Sequence, residues 1–122
     1  MTLVGVGIAG SFGAIARYLV DAAVSDRRRG DFPWGTFVIN VTGSFLLGVL
    51  SGLVLYQAMD DVPRIVIGTG FCGAYTTFST FSYESVQLAE RGERTSAALY
   101  VGASVVIGLC AAGAGLALAA AF

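Results

Sequence analysis

The stretch Gly68-Thr-Gly-Phe-Cys-Gly-Ala-Tyr-Thr-Thr-Phe-Ser-Thr-Phe-Ser-Tyr-Glu84 lies within a run long and apolar enough to cross a membrane. It is nevertheless crowded with glycines, Ser and Thr hydroxyls and one carboxylate. A helix facing lipid has no use for that composition, because bare polar groups are costly in hydrocarbon. Its groups must meet protein, water or an ion, so something is bound or conducted here.

The rest of the chain supports a membrane setting. Of its 122 residues 56% are hydrophobic and 12% charged, and the mean hydropathy is +0.78. Soluble domains carry about 25% charged residues, so this chain lacks the charge to cover a water-facing surface. Each apolar run approaches the roughly 20 residues that a bilayer requires. Four spans, over about 3–24, 34–56, 64–88 and 95–121, use nearly the whole chain and leave one small all-α membrane domain. The net charge of −1 offers no basic surface for nucleic acid. All seven cations are Arg, there is no His, and the two Cys fall inside spans, which excludes zinc-type ligand clusters. Cys72 and Cys110 read as small apolar packing residues. The first span lacks the cationic start of a signal peptide and is interrupted by Arg17, so it reads as a retained helix.

In span one, Gly5, Ala9 and Gly13 recur at four-residue spacing, as do Gly10 and Ala14. Small residues let transmembrane helices approach closely. Arg17 and Asp21 lie one turn apart and can pair; the alternative role for Arg17 is to concentrate an anion at a pore mouth. Span two has aromatic residues at both ends, Trp34 and Tyr56, as interface anchors. Within it Thr36, Asn40 and Ser44 form one polar stripe, fit either for interhelical hydrogen bonds or for a pore wall. Gly48 and Gly52 form a GxxxG pair.

Span three holds the opening stretch, with its break placed between Gly73 and Thr77. Glycine is a poor helix former, and the Thr76 and Thr77 hydroxyls can bond backbone locally. Carbonyls ending a half-helix carry partial negative charge and favour a cation. Beyond the break, Phe78 and Phe81 share a face, and Thr77, Thr80 and Glu84 occupy the adjacent one. A carboxylate within a span is a functional or structural feature by default, and both a proton relay and a hydrogen-bonded strut are open for Glu84. Span four repeats the stripe with Ser96, Tyr100 and Ser104.

The loops between spans one and two and between three and four carry Arg27, Arg28, Arg29, Arg91 and Arg94, against Arg64 alone on the other side. The positive-inside rule then directs both termini outward.

Together these residues resemble the fluoride channel family, Fluc or CrcB. The family's glycine-rich turn, Thr-Thr-Phe-Ser-Thr-Phe and downstream Glu are matched by Gly73 through Glu84. Its second-span pattern is matched by Trp34-Gly35-Thr36 with Asn40, Gly43 and Ser44. Gly13, Ala14, Arg17 and Tyr18 in span one, and Tyr100 and Ser104 in span four, fit as well. The resemblance implies four transmembrane helices with the third broken near its centre, and an antiparallel dimer with two fluoride pathways. It implies a passive fluoride-selective channel that exports cytoplasmic fluoride and relieves its toxicity. It also implies a structural Na⁺ at the dimer centre, held by the backbone carbonyls of Gly73 and Thr76 and not transported. The paired phenylalanines map onto Phe78 and Phe81 and the pore amide onto Asn40. Thr77, Thr80, Tyr100 and Ser104 complete the pathway, with Arg17 and Glu84 in vestibule or structural roles. Two residues depart from the pattern: Ala74 stands where a second Gly is usual, and Gly108 where some members carry Ser. The polar track of span four is thus shorter.

The chemistry agrees with the resemblance. A pore for small, strongly hydrated fluoride must replace its water with donors, and hydroxyls, an amide and the positive edges of aromatic rings provide them. No residue set supports catalysis, since there is no His and no nucleophile–base pair. A small multidrug-type cation/proton exporter has similar length and spans, but it needs an acidic residue in span one, which offers only Asp21 beside Arg17. A non-transporting assembly factor would need no polar stripes on three spans. The partner is a second four-span subunit, either this chain itself or an oppositely oriented homologue, and the uneven loop charge favours a chain fixed in one orientation and hence the homologue.

Overall fold

The computed structural model describes residues 1–27, 30 and 32–122, and the regular structure among them is entirely helical. In chain order the elements are α1 (Thr2–Arg27), α2 (Trp34–Gln57), α3 (Asp61–Ile65), a π-helical segment (Val66–Cys72), α4 (Gly73–Tyr75), α5 (Phe78–Glu90) and α6 (Arg94–Ala120). Three of these, α1, α2 and α6, are long and apolar enough to cross a membrane. The expected third span, read as broken near its centre, is a composite of α3, the π-helical segment and α4, followed after Thr76 and Thr77 by α5. Arg28 and Arg29, part of the charge bias of the first loop, lie outside the described residues.

Glycine decides how α2 and α6 meet. A side chain at Gly48 would run into the Ala112 backbone, one at Gly52 into the Ala119 methyl, and one at Gly115 into the Phe45 carbonyl. The two helices therefore touch backbone to backbone, as small residues permit in membrane bundles. At their far end Gln57 Nε2 donates to the carbonyls of Ala119 (3.3 Å) and Phe122 (2.7 Å), which ties the two helix ends together.

The small stripe of α1 has a different use. Gly5 lies against Val66, Gly10 faces the Gly70 carbonyl, and Gly13 faces the Phe71 carbonyl. A side chain on Gly70 would in turn stand 2.8 Å from the Val6 carbonyl. So α1 packs on the π-helical segment, where the ladder is widened by one residue per turn. The Gly73 N–H shows the widening, because it donates to the Gly68 carbonyl five residues back. The same contact explains how Ala74 is accommodated: its methyl lies 3.9 Å from where a Gly10 Cβ would be, an ordinary contact.

Two expectations are corrected in detail. Arg17 and Asp21 make no ion pair; among the described residues the ion pair present is Arg64–Asp61, at 3.1 Å on the surface. Cys72 is buried, as a packing residue should be, but Cys110 is exposed on the outside of the single chain.

Candidate functional site

The site is organised by the helix break at Thr76 and Thr77. Both residues are extended, with φ −79°, ψ 157° and φ −147°, ψ 121°. Thr76 closes the helix behind it, since its N–H and its hydroxyl both donate to the Cys72 carbonyl, at 2.9 and 2.8 Å. Thr77 opens the helix ahead, its hydroxyl oxygen accepting from the Thr80 N–H at 3.2 Å as an N-cap. Across from it, the Asn40 side chain pairs with the Thr77 peptide unit in both directions. Asn40 Nδ2 donates to the Thr77 carbonyl and the Thr77 N–H donates to Asn40 Oδ1, each at 3.0 Å. One amide thus substitutes for the helix backbone that the break interrupts.

These bonds divert two donors. A continuing helix would give the Thr77 N–H to the Gly73 carbonyl and the Thr80 N–H to the Thr76 carbonyl. Asn40 takes the first and the Thr77 hydroxyl takes the second. The Gly73 and Thr76 carbonyls therefore lose their helical donors, and these are the two oxygens that the family resemblance implies as cation ligands. Gly43 gives the turn its room, since a side chain there would collide with the Thr76 methyl.

Thr77 also separates two cavities. One, of about 280 Å³, is lined by Arg17, Tyr18 and Asp21 of α1, Thr36 of α2, and Thr77 and Thr80. The other, of about 220 Å³, is lined by Asn40, Ser44, Leu47, Thr76, Thr77 and Phe78. The α2 stripe serves both cavities, Thr36 the first and Asn40 with Ser44 the second. Arg17, with no ion pair to a described residue, keeps its charge available to the first cavity.

On the α5 side, Phe78 and Phe81 have ring centroids 6.1 Å apart, and Phe81 lies 5.1 Å from Tyr100 of α6. Tyr100 is fully buried and its hydroxyl donates to Glu84 Oε1 at 3.3 Å. Thr36, 4% exposed, adjoins both groups. Of the two readings left open for Glu84, the bond to Tyr100 is the geometry of a strut between α5 and α6. Ser104, one turn beyond Tyr100, has a buried hydroxyl with no partner among the described residues. One turn further, Gly108 faces the Ser44 hydroxyl, which lies 3.6 Å from where a Gly108 side chain would begin. The hydroxyl at that level comes from α2 instead of α6.

The chain is similar to known proteins over most of its length. A family model described as "CrcB-like protein, Camphor Resistance (CrcB)" matches residues 4–116. The chain belongs to the CrcB family. A relative from Acidobacterium capsulatum, named fluoride-specific ion channel FluC, is 49% identical over 108 residues, 87% of this chain and 86% of the relative. The Symbiobacterium thermophilum fluoride-specific ion channel FluC 1 is 44% identical over 120 residues, 97% of each chain. A third, from Frankia casuarinae and also named fluoride-specific ion channel FluC 1, is 49% identical over 113 residues. With its apolar helices, this CrcB-family chain is a multi-pass integral membrane protein of the cell membrane, a transporter and not an enzyme.

Two residues of the site have no counterpart in the sequence pattern, Tyr75 and Phe32. Thr36 belongs to the α2 stripe, and the fold sets it apart by burying it beside Glu84 and Tyr100. Tyr75, whose hydroxyl meets Thr42 Oγ1 at 2.8 Å, and Phe32, whose ring meets Tyr100, carry no periodic signal.

Proposed function

We propose that the protein is a passive fluoride-selective channel that lets cytoplasmic fluoride leave the cell and so relieves its toxicity. The observation that carries this is the donor-rich, carboxylate-poor lining around the break. Fluoride leaving water needs hydrogen-bond donors, and the Thr80 hydroxyl, whose oxygen accepts from the Thr77 hydroxyl at 3.1 Å, the second N–H of the Asn40 amide and the ring edges of Phe78 and Phe81 are of that kind. Arg17 at the first cavity attracts the anion electrostatically. Tyr100 and the unpartnered Ser104 hydroxyl continue the polar track along α6. The relatives named fluoride-specific ion channel give the anion its identity.

In this reading the composite third stretch crosses the membrane as a fourth, broken span. Non-helical backbone at membrane depth is tolerated against protein or an ion, and the Asn40–Thr77 pairing is such protection. The channel is a dimer of oppositely oriented subunits, with this chain or a homologue as the partner. Phe78 is 79% exposed in the single chain, so the cavity it lines opens outward and needs a second subunit to enclose a path. The carbonyls of Gly73 and Thr76, freed of their helical donors, fit a Na⁺ ion, a hard cation that prefers oxygen ligands. A Na⁺ shared at the dimer centre would offset the charge of anions passing nearby and lock the two breaks together. Among the described residues no cluster of three His, Cys, Asp or Glu offers a competing metal site.

Purified chain, alone and with an oppositely oriented homologue, is reconstituted in liposomes and fluoride efflux is followed with an electrode. Fluoride-selective, voltage-driven efflux is expected in at least one condition, and Phe81→Ile should lower it while the assembly stays intact in detergent. Absence of selective efflux in both conditions overturns the channel reading. Unchanged flux in the variant removes Phe81 from the path.

A further inference from the structure

We propose that Phe32, in the connection between α1 and α2, is a positioning residue for conduction. It holds the Tyr100 ring so that the Tyr100 hydroxyl reaches Glu84. The proposal rests on the channel reading above and adds to it a loop residue outside the polar stripes.

Tyr100 is the most completely buried large side chain of α6. Two rings meet it. Phe81 approaches from α5 with centroids 5.1 Å apart, and Phe32 stands perpendicular to the Tyr100 ring, 5.4 Å away at 83°. Phe32 and Phe81 make no ring pair with each other, so they engage Tyr100 at different places. An edge-to-face pair sets the positive rim of one ring against the negative face of the other, which fixes ring tilt as well as filling space.

Tilt matters because the hydroxyl sits at the far end of the ring, where a small swing becomes a large displacement. The bond to Glu84 is already long, 3.3 Å against roughly 2.7–2.8 Å for an ordinary O–H···O bond. It has little slack before it is lost. Phe32 is itself braced, with the Trp34 ring 4.6 Å away and the Phe37 ring 6.2 Å away at 67°. Both belong to the first turn of α2, the turn that also carries Thr36. The start of α2 thus sets the orientation of a side chain on α6, through a ring that neither helix contains. A leucine at 32 would fill the space without supplying a ring.

The test uses the whole assembly in liposomes. Phe32→Leu should lower fluoride efflux about five-fold, the effect expected from losing one aromatic pair, while Phe32→Tyr retains most of it. The deciding measurement is the same change in a Tyr100→Phe background, where no hydroxyl is left to position. There Phe32→Leu should have no further effect. If Phe32→Leu does not assemble, the flexible apolar Phe32→Met takes its place in both backgrounds. Wild-type-like efflux from the Leu or Met variant overturns the proposal, and so does a loss that multiplies in the Tyr100→Phe background. Absence of efflux from the wild type defeats the channel reading itself, whereas a conducting wild type with unaffected variants defeats only the role of Phe32.

Discussion

The α2–α6 interface and the third stretch both depend on glycine, with opposite results. Between α2 and α6, Gly48, Gly52 and Gly115 bring two unbroken helices into backbone contact. In the third stretch, Gly68, Gly70 and Gly73 accompany a widened ladder and then a break. What differs is the supply of alternative hydrogen bonds. Around Gly48 and Gly115 the nearest atoms are the backbone of Ala112, Phe45 and Val49, so each helix can satisfy its peptide groups only internally. Around Thr76 and Thr77 there are two hydroxyls and the Asn40 amide, which take over the bonds a continuing helix would make. Glycine permits either outcome, and the polar neighbours select one.

The comparison can be broken most severely at its unbroken half. Gly115→Val would drive a branched side chain into the Phe45 carbonyl and to within 2.8 Å of the Val49 N atom for its first carbon alone. Backbone on both sides cannot yield, so the cost is expected at ~3 kcal/mol or more, at the upper end for overpacking. The variant should be lost from the folded fraction in detergent size-exclusion chromatography. A monodisperse, wild-type-like profile would show that the interface is looser than its geometry implies.

At the broken half, Asn40→Ala removes two bonds at once and leaves the Thr77 N–H and C=O without partners in a half-buried place. A loss of about 2–4 kcal/mol is expected, from stranding two backbone groups. Unfolding in detergent measures it. Asn40→Asp keeps the acceptor for the Thr77 N–H and loses the donor to its carbonyl, so it should fall between wild type and Asn40→Ala. An Asn40→Ala variant as stable as wild type would mean that the break holds its shape without the amide.

Much of this was legible in the residues. The long helices were read to within a few positions, because an apolar run of bilayer length has few other structures open to it. Gly73 to Thr77 marks the break in the sequence, and the helix is interrupted at Thr76 and Thr77. The π-helical segment is not legible in Val66–Cys72, because two glycines and a threonine signal an unusual helix without saying whether its ladder widens or breaks. Its widening shows only where Gly70 and Phe71 fit against Val6 and Gly13 of another helix. Asn40 was recognised as an important amide, but its pairing with the Thr77 backbone is a fact of two elements meeting and has no counterpart in spacing. Phe32 lies in a connection, where no helical period assigns a side chain to a face. The polar stripe of α2 was correct as a pattern, yet only the fold divides it between two cavities.

The smallest expected effect tests whether the break is held by more than the amide. The Thr42 hydroxyl donates to the Val38 carbonyl at 2.7 Å, so in its 2.8 Å contact with Tyr75 the tyrosine is the donor. The Tyr75 ring is stacked on Phe71 of the π-helical segment, with centroids 5.6 Å apart, and its residue ends α4 immediately before the break. Tyr75→Phe removes one interhelical hydrogen bond and keeps the stack. A loss of about 1 kcal/mol is expected, the usual size for such bonds in membranes. Thr42→Val removes the same bond from the other side, so the double variant should cost little more than either single one. Losses that add fully would show that Tyr75 and Thr42 act separately and would leave the Asn40 amide as the sole polar tie between α2 and the break.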